Sequence, residues 1–292
     1  MIQVPLITGS NGRLGRALTT VIEEEFAETL PGAIFSTRDE LDINDYWRLR
    51  SELERIAPTV VVNCAAYAHV DGCESKRELA EQVNTLGAGH VARATRAVNA
   101  RVIQISTDLV FDGAKGRPYQ EHDAPRPLSH YAATKLAGEQ AVMEENPDHT
   151  ILRSSWFFGP WPADRYPEVF LASLEKGRSF AMVSDRIGSP TYLKDLARAI
   201  VAVILNPYKG ILHFANTGEP TSRYHLLREL ATRLDIDTSG MLPIPNAEWS
   251  EDTAVRPVYS ALDPSLFAEV TGQAPRTWND TLQEYIAERD TA

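Results

Sequence analysis

Short apolar runs alternate with longer amphipathic stretches along the first half of the chain. Residues 2 to 8 (IQVPLIT) read as a buried strand, and after the turn TGSNGRLG a helical pattern runs from Arg16 to about Glu28. Ala33 to Ser36 gives a second strand, and a helix near Tyr46 to Ile56 ends at Pro58. TVVVNCAA reads as a third strand, Leu79 to Asn99 as one long helix, and RVIQIST as a fourth strand. HYAATKLAGEQAVMEE is the next helix, followed in HTILRSSWFFG by a strand that ends in an aromatic-rich loop. Pro5 sits oddly in this scheme, because proline lacks the donor a central strand needs. The rhythm predicts an α/β protein with a parallel sheet covered by helices on both faces.

Beyond residue 155 the rhythm loosens. Prolines fall at 160, 162 and 167 and again at 243, 245, 257, 264 and 275, and helices are expected near Leu193 to Leu205 and Tyr224 to Leu234. The predicted division is a nucleotide-binding domain over residues 1–155, joined later by about 193–215, with 156–292 mainly a smaller domain for the substrate.

Composition narrows the function classes. The 292 residues are 43% hydrophobic and carry a formal charge of −11, so no general basic field exists to draw nucleic acid or an anionic membrane. An anionic ligand would need a local basic pocket. No apolar run of about 18 residues and no leader-like N-terminus is present, so a cytoplasmic protein is expected. Cys64 and Cys73 have no CxxC or histidine-rich setting; both are expected to be reduced, and no metal site is expected.

Three stretches carry chemistry. TGSNGRLG places Gly9, Gly12 and Gly15 between a strand and a helix, where glycine permits a tight turn and the helix N-terminus offers free N–H groups to a pyrophosphate. Asn11, Arg13 and Leu14 complete that loop. At the end of the second strand, Arg38 and Arg13 favour the 2′-phosphate of NADPH, while Asp39 leaves NADH open. Next, Tyr131 and Lys135 lie one helical turn apart, so a phenol and an ammonium share one face. A nearby positive charge stabilises a phenolate and suits the phenol to acid–base work. Third, Thr107 ends the fourth strand, where open α/β sheets place reacting groups.

Together TGSNGRLG, NCAA, STDLVFDG, YAATKLAGE, LRSSWFFG, GSPTYLKDLA and RPVYSALD closely resemble the extended short-chain dehydrogenase/reductase family, in particular its dTDP-4-dehydrorhamnose reductase group. The resemblance runs to about residue 265 in the expected order. It implies a Rossmann-type doubly wound parallel sheet with a smaller C-terminal α/β domain. It also implies Tyr131 as general acid, Lys135 as its electrostatic partner and ribose ligand, and Thr107 as the hydroxyl on the carbonyl oxygen. By the same resemblance Asp42 and Ile43 lie near the adenine, Asn63, Ala65 and Ala66 beside the cofactor, and Val70, Asp108, Trp156 and Arg256 on the nucleotide-sugar side. A homodimer is compatible with it.

One departure bears on the sugar. The group commonly has a threonine where this chain has Ala68, followed here by His69, so one hydroxyl facing the sugar is missing. The implied reaction is NADPH-dependent reduction of the 4-keto group of a nucleotide-linked 6-deoxy sugar, foremost dTDP-4-dehydrorhamnose. The alternatives are a non-catalytic NADP-binding regulatory subunit, since the group includes a regulator of methionine adenosyltransferase, and a nucleotide-sugar epimerase or dehydratase.

Overall fold

The computed structural model describes residues 3–159 and 166–289. Elements follow in the order β1 (Pro5–Thr8), α1 (Arg13–Glu25), β2 (Ile34–Ser36), α2 (Tyr46–Ile56), β3 (Val60–Asn63), α3 (Val70–Ser75), α4 (Arg77–Glu81), α5 (Ala88–Ala97) and β4 (Arg101–Thr107). Then come α6 (His130–Glu145), β5 (His149–Ser154), β6 (Phe157–Phe158), α7 (Glu168–Glu175), β7 (Phe180–Val183), β8 (Thr191–Tyr192) and α8 (Leu193–Leu205). The chain closes with β9 (Gly210–His213), α9 (Arg223–Arg233), β10 (Met241–Ile244), α10 (Ser265–Thr271) and α11 (Trp278–Arg289).

The main sheet has six parallel strands in the order β2-β1-β3-β4-β5-β9. Strand order reverses between β1 and β3, which opens a crevice at their carboxyl ends. Pro5 escapes its penalty by standing first in β1, where proline is tolerated. One face of the sheet packs on α1 and α8 through Leu18, Val21, Leu196 and Ile200; the other packs on α2 and α5 through Leu49, Leu53, Val91 and Ala92. Both faces are therefore dry, which is why these strands read as unbroken apolar runs. A further core of Phe158, Leu171, Tyr192, Leu227 and Tyr285 holds the C-terminal elements.

Three boundaries differ from the sequence expectation. Helix α1 begins at Arg13, three residues early, because Gly12 serves as its N-cap and Gly15 is already helical. The long helix of Leu79 to Asn99 is interrupted by a π-helical turn over Gln82–Gly87. There α6 comes so close that a Cβ on Gly138 would stand 2.1 Å from the Asn84 carbonyl oxygen. The rearranged turn aims the Asn84 side chain at the loop after β3, where it accepts from Tyr67 N at 2.9 Å and donates to Thr134 Oγ1 at 3.1 Å. Finally, the strand expected in HTILRSSWFFG ends at Ser154, as the aromatic-rich loop expected after it requires, but that loop turns at Trp156, with φ of 45°, into a further short strand, β6, which pairs with β8. The prolines at 160 and 162 lie outside the described residues.

Candidate active site

The glycine loop is built for close approach. Gly9 has φ of 67°, and a Cβ there would lie 2.8 Å from the backbone of Ala65, just beyond β3. A Cβ on Gly15 would lie 2.3 Å from the Gly9 carbonyl oxygen, so the first turn of α1 sits directly on the loop. The Gly12 cap has no side chain, and the first-turn N–H groups of Leu14 and Gly15 have no helical acceptor. That is a cradle of glycine backbone and unclaimed donors at a positive helix end, and it fits a dinucleotide pyrophosphate. Asn11 is exposed at its tip, while Leu14 is buried beneath.

A cleft of about 450 Å³ continues from the loop, lined by Ser10, Asn11, Arg16, Phe35 and Thr37 among others. Arg38 stands at the end of β2, exposed, with Nε 3.3 Å from Asp42 Oδ2. Asp42 also accepts from Asn44 N at 2.9 Å, so it caps a turn and does not begin α2, whose cap is Asp45. Ile43 is buried against Gly87. Asn63 is fully buried and its amide is committed: it accepts from Thr8 Oγ1 at 2.7 Å and donates to Gln104 Oε1 at 2.8 Å, latching β1, β3 and β4 together. It shapes the strand end from below, leaving Ala65 and Ala66 at the surface of the crevice.

Helix α6 starts at the Ser129 cap, which accepts from Ala132 N at 3.3 Å, and carries Tyr131 and Lys135 toward the end of β4. Lys135 is buried, and its Nζ donates to the Ile105 carbonyl at 2.7 Å. Burial pulls the ammonium down to about 8, against the opposing pull of Glu139. Tyr131 is half-buried. Burial, then the Asp108 carboxylate and Cys73, push its phenol well above the usual range, while the Thr107 hydroxyl acts in the other direction. The lowering that the Tyr131–Lys135 spacing predicts is thus not what sets the phenol here; the ammonium is occupied by a strand carbonyl. The result is a phenol that keeps its proton at neutral pH, the form a proton donor needs.

Thr107 Oγ1 donates to Asp108 Oδ1 at 3.1 Å and accepts from Leu109 N at 3.2 Å. Asp108 is buried, accepts from Ser260 Oγ at 2.5 Å, and is pushed up to about 6 by burial, with Ser260 and Thr107 holding it down. It therefore anchors the C-terminal segment to the end of β4. Val70 begins α3, and His69 supplies the helix cap, its Nδ1 accepting from Gly72 N at 2.7 Å. The extra histidine beside Ala68 thus has a structural task.

On the facing side, Trp156 lies flat over Gly188, where a Cβ would be 2.5 Å from the indole. Arg256 is already engaged. Its guanidinium grips Asp71 with contacts of 3.0 and 2.5 Å and reaches Asp252 at 3.0 Å. Asp71 is accordingly held down to about 2, chiefly by that bond. The side chain that sequence reasoning missed is Arg223, the first residue of α9. It is exposed, packs over the Trp156 and Tyr166 rings at 5.3 and 5.4 Å, and makes no ion pair among the described residues. Asp108, Arg256 and Arg186 lie within electrostatic reach of it. In an acidic protein this is the local basic pocket that an anionic ligand requires.

The same arrangement of parts recurs in known proteins. The chain is 36% identical to dTDP-4-dehydrorhamnose reductase of Mycobacterium tuberculosis, over 97% of this chain and 92% of that one. It is 34% identical to the spore coat polysaccharide biosynthesis protein SpsK of Bacillus subtilis over 98% of each. Among solved structures, dTDP-4-dehydrorhamnose reductase from Bacillus anthracis in complex with NADP superposes with a TM-score of 0.91 at 31% identity, covering 99% of this chain and all of the other. Residues 4–291 match the family model described as the RmlD substrate binding domain, and the chain belongs to that family of dTDP-4-dehydrorhamnose reductases within the extended short-chain dehydrogenase/reductases.

Proposed function

We propose that the chain reduces the 4-keto group of a dTDP-linked 6-deoxy-4-keto sugar, foremost dTDP-4-dehydrorhamnose, with NADPH and with NADH as a second cofactor. The observation that carries this reading is the meeting of Tyr131 and Lys135 on α6 with Thr107 at the end of β4, beside the glycine cradle. The NADP named for the Bacillus anthracis relative supports the cofactor choice, as does Arg38 at the end of β2.

The cradle of Gly9, Gly12 and Gly15 would hold the pyrophosphate, and Arg38 with Asp42 the adenosine end. When bound, the nicotinamide supplies the hydride. Tyr131 gives its proton to the keto oxygen as negative charge grows there. The raised phenol is fully protonated before the hydride arrives, and the charge growing on the sugar oxygen draws that proton across. Thr107, whose hydroxyl donates to Asp108 in the free site, turns to donate a hydrogen bond to the same oxygen. Lys135 places a positive charge behind the phenol and offsets the phenolate as it forms. Trp156 and Arg223 bound the opposite side, where the sugar and its diphosphate lie in this reading. A division near residue 155 between the cofactor and substrate halves, a homodimer and a cytoplasmic location belong to the same proposal.

The test is a panel of nucleotide-linked 4-keto sugars, with cofactor oxidation followed by the loss of nicotinamide absorbance. Consumption of NADPH with a dTDP-linked member is expected. Tyr131→Phe is expected to lose about 10²-fold or more in kcat while binding NADPH as before. Near wild-type turnover in that variant overturns the role of Tyr131. Failure to reduce any member overturns the reaction, and a cofactor retained and recycled without net consumption would point to epimerase or dehydratase chemistry.

A further inference from the structure

Directly behind the proposed acid–base face lies a charged group that the reaction itself does not use. Glu139 is one helical turn beyond Lys135 on α6 and has no solvent exposure. Its Oε1 accepts from Ser106 Oγ at 2.5 Å and from Arg153 Nε at 2.9 Å, and its Oε2 accepts from Arg153 Nη2 at 2.7 Å. Arg153 comes from β5 and is itself only 2% exposed. A bidentate ion pair closed off from water is a costly feature, weak evidence for stability alone, so its placement calls for an explanation.

The placement is specific. Ser106 lies between the two residues of β4 that define the reacting face: Ile105, whose carbonyl holds Lys135 Nζ at 2.7 Å, and Thr107. Glu139 therefore ties α6 to β4 at the same level at which Lys135 meets that strand, and Arg153 ties both to β5, where Ser106 and Arg153 are register partners. Sliding α6 along the sheet would break all these contacts together. Phe111 covers the far side of Arg153, with the guanidinium 5.2 Å from the ring centre, so the carboxylate has no route to water.

We propose that Glu139, locked by Ser106 and Arg153, is a positioning residue that fixes Lys135 against β4 and keeps its ammonium charged at the reacting face. This rests on the reading of Lys135 as part of the active site. The titratable groups acting on Lys135 are Cys64 from the end of β3 and Glu139 from its own helix, with Arg153 from β5 paired to Glu139 beyond it. Of these, Glu139 supplies the larger stabilisation of the charge, and burial opposes it. Cys64 adds little as an anion, because burial pushes its thiol up to about 12. Removing the Glu139 charge takes away the main influence that holds Lys135 protonated against its burial, so the ammonium is expected to lose its proton at lower pH.

The experiment reads Lys135 directly. With six lysines in the chain, NMR of isotope-labelled lysine resolves its side chain, assigned by comparison with Lys135→Arg. The Lys135 titration midpoint is expected to fall by about one pH unit or more in Glu139→Gln. Because that change strands the Arg153 charge, Glu139→Leu/Arg153→Met is measured beside it; a matched apolar pair restores the packing, and the midpoint is still expected to fall. An unchanged midpoint in the folded variants overturns the proposal, whatever their stability, since a purely structural pair would not move it. With a substrate in hand, the alkaline fall of kcat is expected to move down in pH by the same amount. Absence of turnover in the wild type would count against the proposed reaction, while the NMR midpoint would still decide the role of Glu139.

Discussion

A single cation separates the two candidate anion ligands on the substrate side. Arg256 spends its guanidinium on Asp71 and Asp252, whereas Arg223 lies beside Trp156 with Arg256, Arg186 and Asp108 within electrostatic reach and no ion pair among the described residues. A cation without an ion pair beside neighbouring arginines is most stable when a ligand supplies the anion, and a charge-assisted bond of that kind contributes about 2 kcal/mol. Arg223→Gln is therefore expected to weaken dTDP binding roughly thirtyfold, measured by calorimetry or by inhibition, with thymidine and NADPH affinities nearly unchanged. Equal losses for dTDP and thymidine would assign Arg223 to packing of the Trp156 ring and not to the diphosphate. This residue was not legible in the sequence. Tyr131, Lys135 and Thr107 were, because a four-residue spacing on a helix and the last residue of a strand are local facts. What marks Arg223 is that it makes no ion pair among the described residues, and partners across the fold are chosen by tertiary contacts: Arg256 meets Asp71 over a separation of 185 residues.

Elements show the same division between local and distant causes. The strands and most helices follow from runs of apolar residues, and α2 and α8 keep the boundaries their sequences predict. The π-helical turn was hidden, since its cause is the approach of Gly138 on α6 and nothing within Gln82–Gly87 itself. The pairing of β6 with β8 was hidden too. It depends on Gly188, which pairs with Thr221 through two 2.9 Å hydrogen bonds and leaves room for the Trp156 indole to lie flat on its backbone. That glycine brings β6, the loop before β8 and the start of α9 to one point. In Gly188→Ala, a methyl group 2.5 Å from the ring cannot be accommodated, so Trp156 must tilt out and carry Arg223 with it. The expected result is a rise of about tenfold or more in KM for the nucleotide sugar, with KM for NADPH unchanged and a quenched or shifted tryptophan emission. An unchanged sugar KM would show that Trp156 does not bound the substrate.

At the scale of the whole molecule, segments distant in sequence meet over the proposed site. Asp108, at the end of β4, holds Ser260; Asp71, in α3, holds Arg256 and also accepts from Thr253 N and Ala254 N at 2.9 Å each. These bonds fasten the segment from Asp252 to Ser260 across the loop that contains Ala68 and His69, so the same contacts that close the fold also shape the sugar side. The ion pair is partly solvated, with Asp71 30% and Arg256 18% exposed, which limits its coupling to about 1 kcal/mol despite good geometry. A double-mutant cycle of Asp71→Asn and Arg256→Met, read by urea unfolding at neutral pH, is expected to return that coupling. Its pH dependence has a definite sign. Asp71 is held down to about 2 from an ordinary 3.8, so the carboxylate binds fewer protons folded than unfolded. Its contribution is then complete above about pH 4 and is lost as pH falls toward 2, and the stability gap between wild type and Asp71→Asn should close over that window. A gap that persists to pH 2 would mean that the substitution acts through packing of the segment, and that the ion pair is not what holds the segment from Asp252 to Ser260 against α3.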